Sequence, residues 1–208
     1  MGNLSEVVLN VSLSPPRRVV RNGRVYFVAR GRSIVKDGVL CGSQGCLLYP
    51  GQEISANHEE WDGMPMTMYH PRDGQGRPCR AGEPGILEAQ GIGNIYNTSI
   101  SHDGHLDHDF WFDADKVRTA DRRFGTQLYN KLERGEPIEI STGLFTHNEP
   151  APPGAVNHNG KGYDAIARNY RPDHMAILPE GDRGACSVAD GCGVNVVNAN
   201  PDKPDCPT

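Results

Sequence analysis

The sequence has no long hydrophobic run, and no apolar stretch approaches the roughly 20 residues that a membrane-spanning helix needs. Residues 1–12 also lack the positively charged start and the apolar centre of a secretory signal peptide. We therefore expect a soluble, cytosolic protein with no membrane partner. In that compartment the six cysteines are expected to be thiols rather than disulfides.

Concentrated positive charge is equally absent. The formal net charge is −5 at pH 7, and the arginines of residues 17–24 simply surround an Asn22-Gly23 turn. We interpret that cluster as a solvated edge, because binding to phosphate groups needs a concentrated basic surface. The charge pattern therefore argues against a nucleic-acid partner.

Two familiar site motifs are missing as well. The cysteines are spaced as Cys41-x4-Cys46 and Cys186-x5-Cys192, so the C-x2-C knuckle of structural zinc sites does not occur. The G-x-S-x-G turn that carries the nucleophile of α/β-hydrolases is also absent. These gaps argue against a structural zinc site and against the α/β-hydrolase fold.

Turn-forming residues, by contrast, are abundant. The chain holds 25 glycines and 16 prolines among 208 residues, a composition that favours many short strands. Hydrophobic residues make up 37%, which is enough for one packed core, and the length suits one domain. We expect a single domain over residues 1–194 and a disordered tail over residues 195–208, where Asn, Asp and Pro dominate.

Local patterns predict most of the elements. A hairpin over 91–113 turns at Asp103-Gly104, and a short helix falls within 52–60. A longer helix over 121–134 places Phe124, Leu128 and Leu132 on one face and stops at Gly135. Strands are predicted at 7–11, 25–29, 33–40, 41–49, 64–69, 138–145 and 165–178. On the return strand of the hairpin, one face carries Leu106, His108, Phe110 and Phe112.

Three stretches could supply the parts of a serine hydrolase. Such an enzyme needs a hydroxyl beside an imidazole, a group that orients the imidazole, and donors that face the oxyanion. His70 ends one predicted strand, and Ser141 lies in the apolar strand Ile-Glu-Ile-Ser-Thr-Gly. His174 stands at the head of the apolar run Met-Ala-Ile-Leu. Each feature alone is weak, and their joint order is the specific signal.

That order resembles the phage prohead (head-maturation) serine proteases, which are similar in fold to the herpesvirus assemblin proteases. Members carry a histidine near the end of an early strand, a serine in an I/L-S-x-G strand directly after a helix, and a third polar residue at a later strand. Those positions read here as His70, Ser141 and His174. The resemblance covers about residues 5–195 and includes Trp61-x-Gly-x-Pro and the stretch that begins at Arg183.

The resemblance implies a β-rich α/β fold, a mostly antiparallel closed or nearly closed barrel flanked by a few helices. It also implies a serine endopeptidase without a cofactor, with Ser141 as nucleophile and His70 as general base. Its substrates would be the scaffold and major capsid proteins inside the assembling prohead in the host cytoplasm, with self-cleavage. The Arg183–Gly184 turn would form the oxyanion hole, and a homodimer is compatible with the resemblance.

The third catalytic position differs from the pattern of many phage members, which carry an acid there. His174 matches the herpesvirus Ser-His-His arrangement, and Asp173 stands beside it as the alternative. Because adjacent side chains of a regular strand point to opposite faces, only one of the two is expected to face His70. We expect that residue to be His174.

The sequence is also compatible with two other functions. The segment from His102 to Asp109 is dense in imidazole and carboxylate groups, which suit zinc, iron or manganese, and would support a metal-dependent hydrolase. No His-Glu-x-x-His helix accompanies it. The second alternative is a structural or scaffold-associated phage head protein that keeps the protease fold without turnover.

Overall fold

The computed structural model describes residues 16–42 and 44–196. Within them, ten strands join one sheet and four α-helices accompany it. The strands are β1 (Arg17–Arg21), β2 (Arg24–Val35), β3 (Gly38–Gly42), β4 (Gly45–Tyr49), β5 (Pro65–Met68), β6 (Gly91–Ile100), β7 (His105–Asp113), β8 (Ile140–Pro150), β9 (Ala165–Ile177) and β10 (Gly193–Val194). The helices are α1 (Gly51–Ala56), α2 (Ile86–Gln90), α3 (Ala114–Ala120) and α4 (Phe124–Arg134).

The sheet follows the order β1-β2-β7-β6-β5-β9-β4-β3, with β10 added to β2 and β8 added to β9. Strand β9 runs parallel to β4 and β5, and the other pairings of the described strands are antiparallel. The expected β-rich, mostly antiparallel α/β fold is confirmed. The expected closure is not supported, because β1 and β3 stand at opposite ends of the order without pairing to each other.

The core follows the alternation that the sequence predicts for β7. Its four inward residues are buried, while the residues between them are only partly covered. Residues of β5, β6, β9 and α4 complete the same core cluster. The buried inward residues of β7 are Leu106, His108, Phe110 and Phe112.

Helix α4 starts later than the sequence predicts and ends at the predicted residue. The Asp121 carboxylate accepts the Phe124 N–H at 2.6 Å in the turn before the helix, which starts three residues later than the predicted bound. Gly135 ends the helix in the left-handed conformation that glycine adopts without strain.

The sequence pattern does not predict helix α3, because its apolar positions are too few to show a period. Its start is fixed by Asp113, whose carboxylate accepts two backbone N–H groups.

Some predictions fall partly or wholly outside the described residues. The strand at 7–11 and the tail from residue 197 onward lie there. Asn195, which composition places in the predicted tail, is buried against the folded domain. Its N–H donates to Arg30 O at 2.9 Å, and its Nδ2 donates to Glu136 O at 3.0 Å.

The expectation that the cysteines are thiols is wrong for four of them. Cys41 pairs with Cys46 across the β3–β4 hairpin, and Cys186 pairs with Cys192 beside β10. Cys79 is a free thiol. Sequence spacing could not reveal the pairing, since it depends on which side chains the fold brings together.

Among the described residues, no helix is both long and apolar enough to cross a bilayer.

Candidate active site

The three residues of the expected catalytic unit meet at one place. His70 Nε2 lies 2.9 Å from Ser141 Oγ, and His70 Nδ1 lies 2.8 Å from His174 Nε2. Both distances are those of hydrogen bonds. The partners are 71 and 104 positions apart in sequence, so the fold alone brings them together.

His70 reaches the site because the chain turns sharply after β5. Tyr69 has a φ of 63°, a left-handed conformation that is unusual for a bulky residue. Two contacts hold it there: its N–H donates to Ile177 O at 3.0 Å, and its carbonyl accepts the Thr67 hydroxyl at 2.8 Å. The ring of Tyr69 packs against Phe124 of α4. Backbone strain of this kind is commonly found at functional sites.

Ser141 stands at the second position of β8, opposite Ala176 of β9. Two residues later, Gly143 pairs with His174, whose ring lies directly over the glycine. A Cβ atom at Gly143 would overlap that ring. The Ser-x-Gly pattern therefore has a steric cause, since any larger residue would occupy the place of the histidine.

Asp173 lies closer to the site than a regular strand would allow. Gly143 pairs with His174 but Leu144 pairs with Pro172, so Asp173 is the extra residue of a β-bulge. A bulge redirects a side chain from its alternating position. The Asp173 carboxylate reaches the far side of the imidazole, with Oδ2 2.8 Å from His174 Nδ1. The expectation that only His174 faces His70 agrees with these contacts, but the expectation that Asp173 points away from this group is wrong.

The pKa values of both histidines are lowered, which favours their neutral forms. Burial lowers the pKa of His70 from its ordinary value of 6.5, and the nearby His174 and the charge of Arg72 lower it further. Burial also lowers the pKa of His174, while the hydrogen bond to Asp173 acts in the opposite direction. A histidine with a lowered pKa is unprotonated at pH 7 and can accept a proton there.

The turn expected to form the oxyanion hole lies against β8. Gly184 packs so closely on the carbonyl of Ile140, the residue before Ser141, that a Cβ atom would overlap it. Its N–H donates to the Glu139 carboxylate at 3.4 Å, and the Val188 N–H donates to the same carboxylate at 3.0 Å. Arg183 is exposed, and its charge helps to lower the pKa of Asp190. The oxyanion role of Arg183 and Gly184 stays a prediction.

A shallow depression adjoins Ser141 on the side of this turn. Its walls come from three separate parts of the chain, namely β8, the β2–β3 region and the segment after Gly184. The lining residues are Ser33, Ile34, Leu40, Ile140, Ser141, Thr142, Ala185 and Cys186. Mostly small or apolar groups thus surround the space next to Ser141.

The histidine-rich hairpin has a different arrangement from a metal centre. Arg32 binds the carboxylates of Asp103 and Asp107, and Arg30 binds that of Asp109. His108 is buried between two hydroxyl groups, Ser33 Oγ at 2.8 Å and Thr98 Oγ1 at 3.0 Å. Burial lowers the pKa of His108 to about 3. Among residues 16–42 and 44–196, no three His, Cys, Asp or Glu side chains converge as metal ligands.

Sequence reasoning missed several contributors to this site. Regular strand alternation does not predict the Asp173 contact, although the adjacent Asp-His pair is a visible signal in the sequence. The Glu139 carboxylate, which holds the 184–188 segment, had no signal beyond its place two residues before Ser141. Comparison with known proteins adds no further guide, since no family model, curated protein or solved structure matches the chain.

Proposed function

We propose that the protein is a serine endopeptidase that cleaves by acyl transfer through Ser141. The observation that carries the proposal is the unbroken contact from Ser141 Oγ through His70 to His174, with distances of 2.9 and 2.8 Å. A serine within hydrogen-bond reach of a base, whose other nitrogen is held by a third group, is the signature of an activated nucleophile.

In the proposed reaction, His70 Nε2 takes the proton of the Ser141 hydroxyl as Oγ bonds to the carbonyl carbon of a peptide. The carbonyl π bond opens to give a tetrahedral oxyanion. The C–N bond then breaks, and His70 passes its proton to the leaving amine. Water, deprotonated by His70, hydrolyses the acyl-enzyme in the same manner and restores Ser141. No cofactor takes part.

The substrate class follows from the resemblance of the sequence to prohead proteases. We propose that scaffold and major capsid proteins are cleaved within an assembling phage head. We also propose that the fold is of the assemblin type.

A fluorophosphonate probe tests the chemistry, because it reacts with activated serines. We expect the probe to label Ser141 in the intact protein, as read by peptide mass spectrometry. Ser141→Ala should abolish labelling, and His70→Ala should slow it on the order of 10⁴-fold, since residues that act as a unit fail together. Cleavage of labelled casein should fall in parallel.

His102→Ala is the matched control, because it removes an exposed histidine of the hairpin. It should leave both readouts unchanged, as should treatment with EDTA. Labelling that persists in Ser141→Ala would refute the nucleophile. A folded wild-type protein that never reacts would favour the structural head protein, and activity lost with EDTA and restored by zinc would favour a metal-dependent hydrolase.

A further inference from the structure

The hydrogen-bonded chain of the site continues past its expected third member. Asp173 Oδ2 lies 2.8 Å from His174 Nδ1, and the same oxygen accepts the backbone N–H of Ala81 at 3.0 Å. Both side chains are largely covered, with 15% of Asp173 and 8% of His174 exposed. A contact with so little solvent access keeps more of its electrostatic strength than a surface pair does.

We propose that Asp173 is a positioning residue that sets the proton positions of both histidines, an inference that rests on the proposed peptidase function. A backbone N–H can only donate, so the Asp173 oxygen that it contacts is an acceptor. His174 Nδ1 must then carry the proton of the neutral ring, which leaves a lone pair on His174 Nε2. His70 Nδ1 donates to that lone pair, and His70 Nε2 is left free to accept the proton of Ser141.

The opposite set of proton positions would disable the nucleophile. His174 would then donate from Nε2 to His70 Nδ1, and His70 would donate from Nε2 to Ser141 Oγ. In that state the lone pair of His174 Nδ1 would face the carboxylate of Asp173 at 2.8 Å, which is repulsive. Asp173 therefore selects the one arrangement in which His70 can act as a base.

The carboxylate also supplies a charge that two neutral imidazoles lack. When His70 takes the serine proton it becomes positively charged, and its Nδ1–H stays bonded to His174. Asp173 polarises His174 from the other side, so the positive charge is balanced without a proton leaving His70. Because Asp173 acts through an intervening ring, its effect should be smaller than the roughly 10⁴-fold known for the aspartate of a direct triad.

Two substitutions separate geometry from charge. Asp173→Asn can keep an oxygen beside His174 and Ala81 but removes the charge, whereas Asp173→Ala removes the acceptor as well. We expect kcat to fall roughly 10–10²-fold in the first and further in the second, with KM changing little. Rates are to be normalised to the fraction of protein that the fluorophosphonate probe titrates, which excludes unfolded molecules.

Asp164→Asn is the matched control, because Asp164 also accepts a backbone N–H beside β9, that of Cys46, but does not contact a catalytic histidine. It should leave kcat unchanged. Unchanged kcat per titrated site in both Asp173 variants would overturn the proposal.

The imidazole ¹⁵N spectrum gives a readout that does not need turnover. In the wild-type protein His174 should show a protonated Nδ1 and an unprotonated Nε2, and this pattern should be lost in Asp173→Ala. A proton on Nε2 in the wild type would overturn the assignment whether or not the protein cleaves peptides. Absence of probe labelling together with the expected spectrum would instead refute the peptidase function alone.

Discussion

Two single residues shape this site, one by lacking a side chain and one by its backbone conformation. Gly143 has no side chain, and the ring of His174 occupies the volume that a Cβ atom would fill. Tyr69 is the opposite case, a bulky residue held at a positive φ directly before His70. The two conditions together fix the His70–His174 contact at 2.8 Å.

Gly143→Ala should disrupt the site while leaving the fold largely intact. The added methyl group displaces the His174 ring, so we expect probe labelling of Ser141 to slow on the order of 10²-fold. The same overlap should cost about 1–3 kcal/mol in the free energy of unfolding, the usual range for overpacking. Labelling kinetics and urea denaturation measure the two effects.

Gly82→Ala serves as its control, since nothing lies within 4 Å of the position a Cβ would take there. It should change neither quantity. A labelling rate in Gly143→Ala equal to that of the wild type would show that His174 tolerates displacement, and the steric account would fail.

Among the elements, the segment after β9 has the clearest link between structure and chemistry. It returns along β8 past Ser141, where Glu139 accepts its Gly184 and Val188 amides. The Cys186–Cys192 disulfide then ties it to β10, which pairs with β2. A segment held at both ends keeps a fixed position beside Ser141, which the predicted oxyanion role of the Arg183–Gly184 turn requires.

Removing this disulfide should affect both stability and catalysis. For the double variant Cys186→Ser with Cys192→Ser, the short closed loop predicts a loss of about 2 kcal/mol in unfolding free energy. Because the segment that carries Arg183 and Gly184 loosens, cleavage should also slow several-fold per titrated site. Denaturation and peptide turnover are the two measurements.

The second disulfide provides an internal comparison. Cys41 and Cys46 close a loop of similar length in the β3–β4 hairpin, and unlike Cys186 neither lines the depression beside Ser141. The variant Cys41→Ser with Cys46→Ser should lose a similar amount of stability but keep its turnover. Equal turnover in both double variants would show that the Cys186–Cys192 disulfide does not help to hold the predicted oxyanion turn.

At the scale of the whole molecule, the packed core desolvates the polar side chains that it encloses. His108 is fully buried in the core beside Trp61, and its two ring nitrogens are satisfied by Ser33 and Thr98. Its pKa is lowered to about 3, against an ordinary 6.5. Between these values the unfolded chain binds a proton that the folded protein excludes, so stability must fall as pH falls.

We therefore expect the free energy of unfolding to decrease between pH 6.5 and pH 4.5 by up to about 1.4 kcal/mol per pH unit from His108 alone. The lowered pKa values of His70 and His174 act in the same direction. His108→Gln should lower stability at pH 7 but flatten this slope, as measured by urea denaturation across the pH range. In the exposed control His158→Gln the slope should be unchanged, and an equally steep slope in both variants would contradict the assignment.

The sequence by itself determined the features that depend on neighbouring residues. The period of Phe124, Leu128 and Leu132 predicts α4, and the alternation of β7 predicts which of its residues enter the core. The order of a strand-end histidine, a serine and a second histidine, through its resemblance to a known family, also predicts that His70, Ser141 and His174 lie together, and the structure places them within hydrogen-bond distance. Periodicity and turn chemistry act over a few residues, so they can be read without a partner strand.

Only the tertiary structure decided the rest. The position of Asp173 depends on a bulge that exists because β8 and β9 pair in one register, and no local pattern records that register. The disulfides depend on which side chains meet after folding, and the open sheet depends on which strand edges find partners. Each is a contact between distant parts of the chain, whose geometry is set by packing rather than by local propensity.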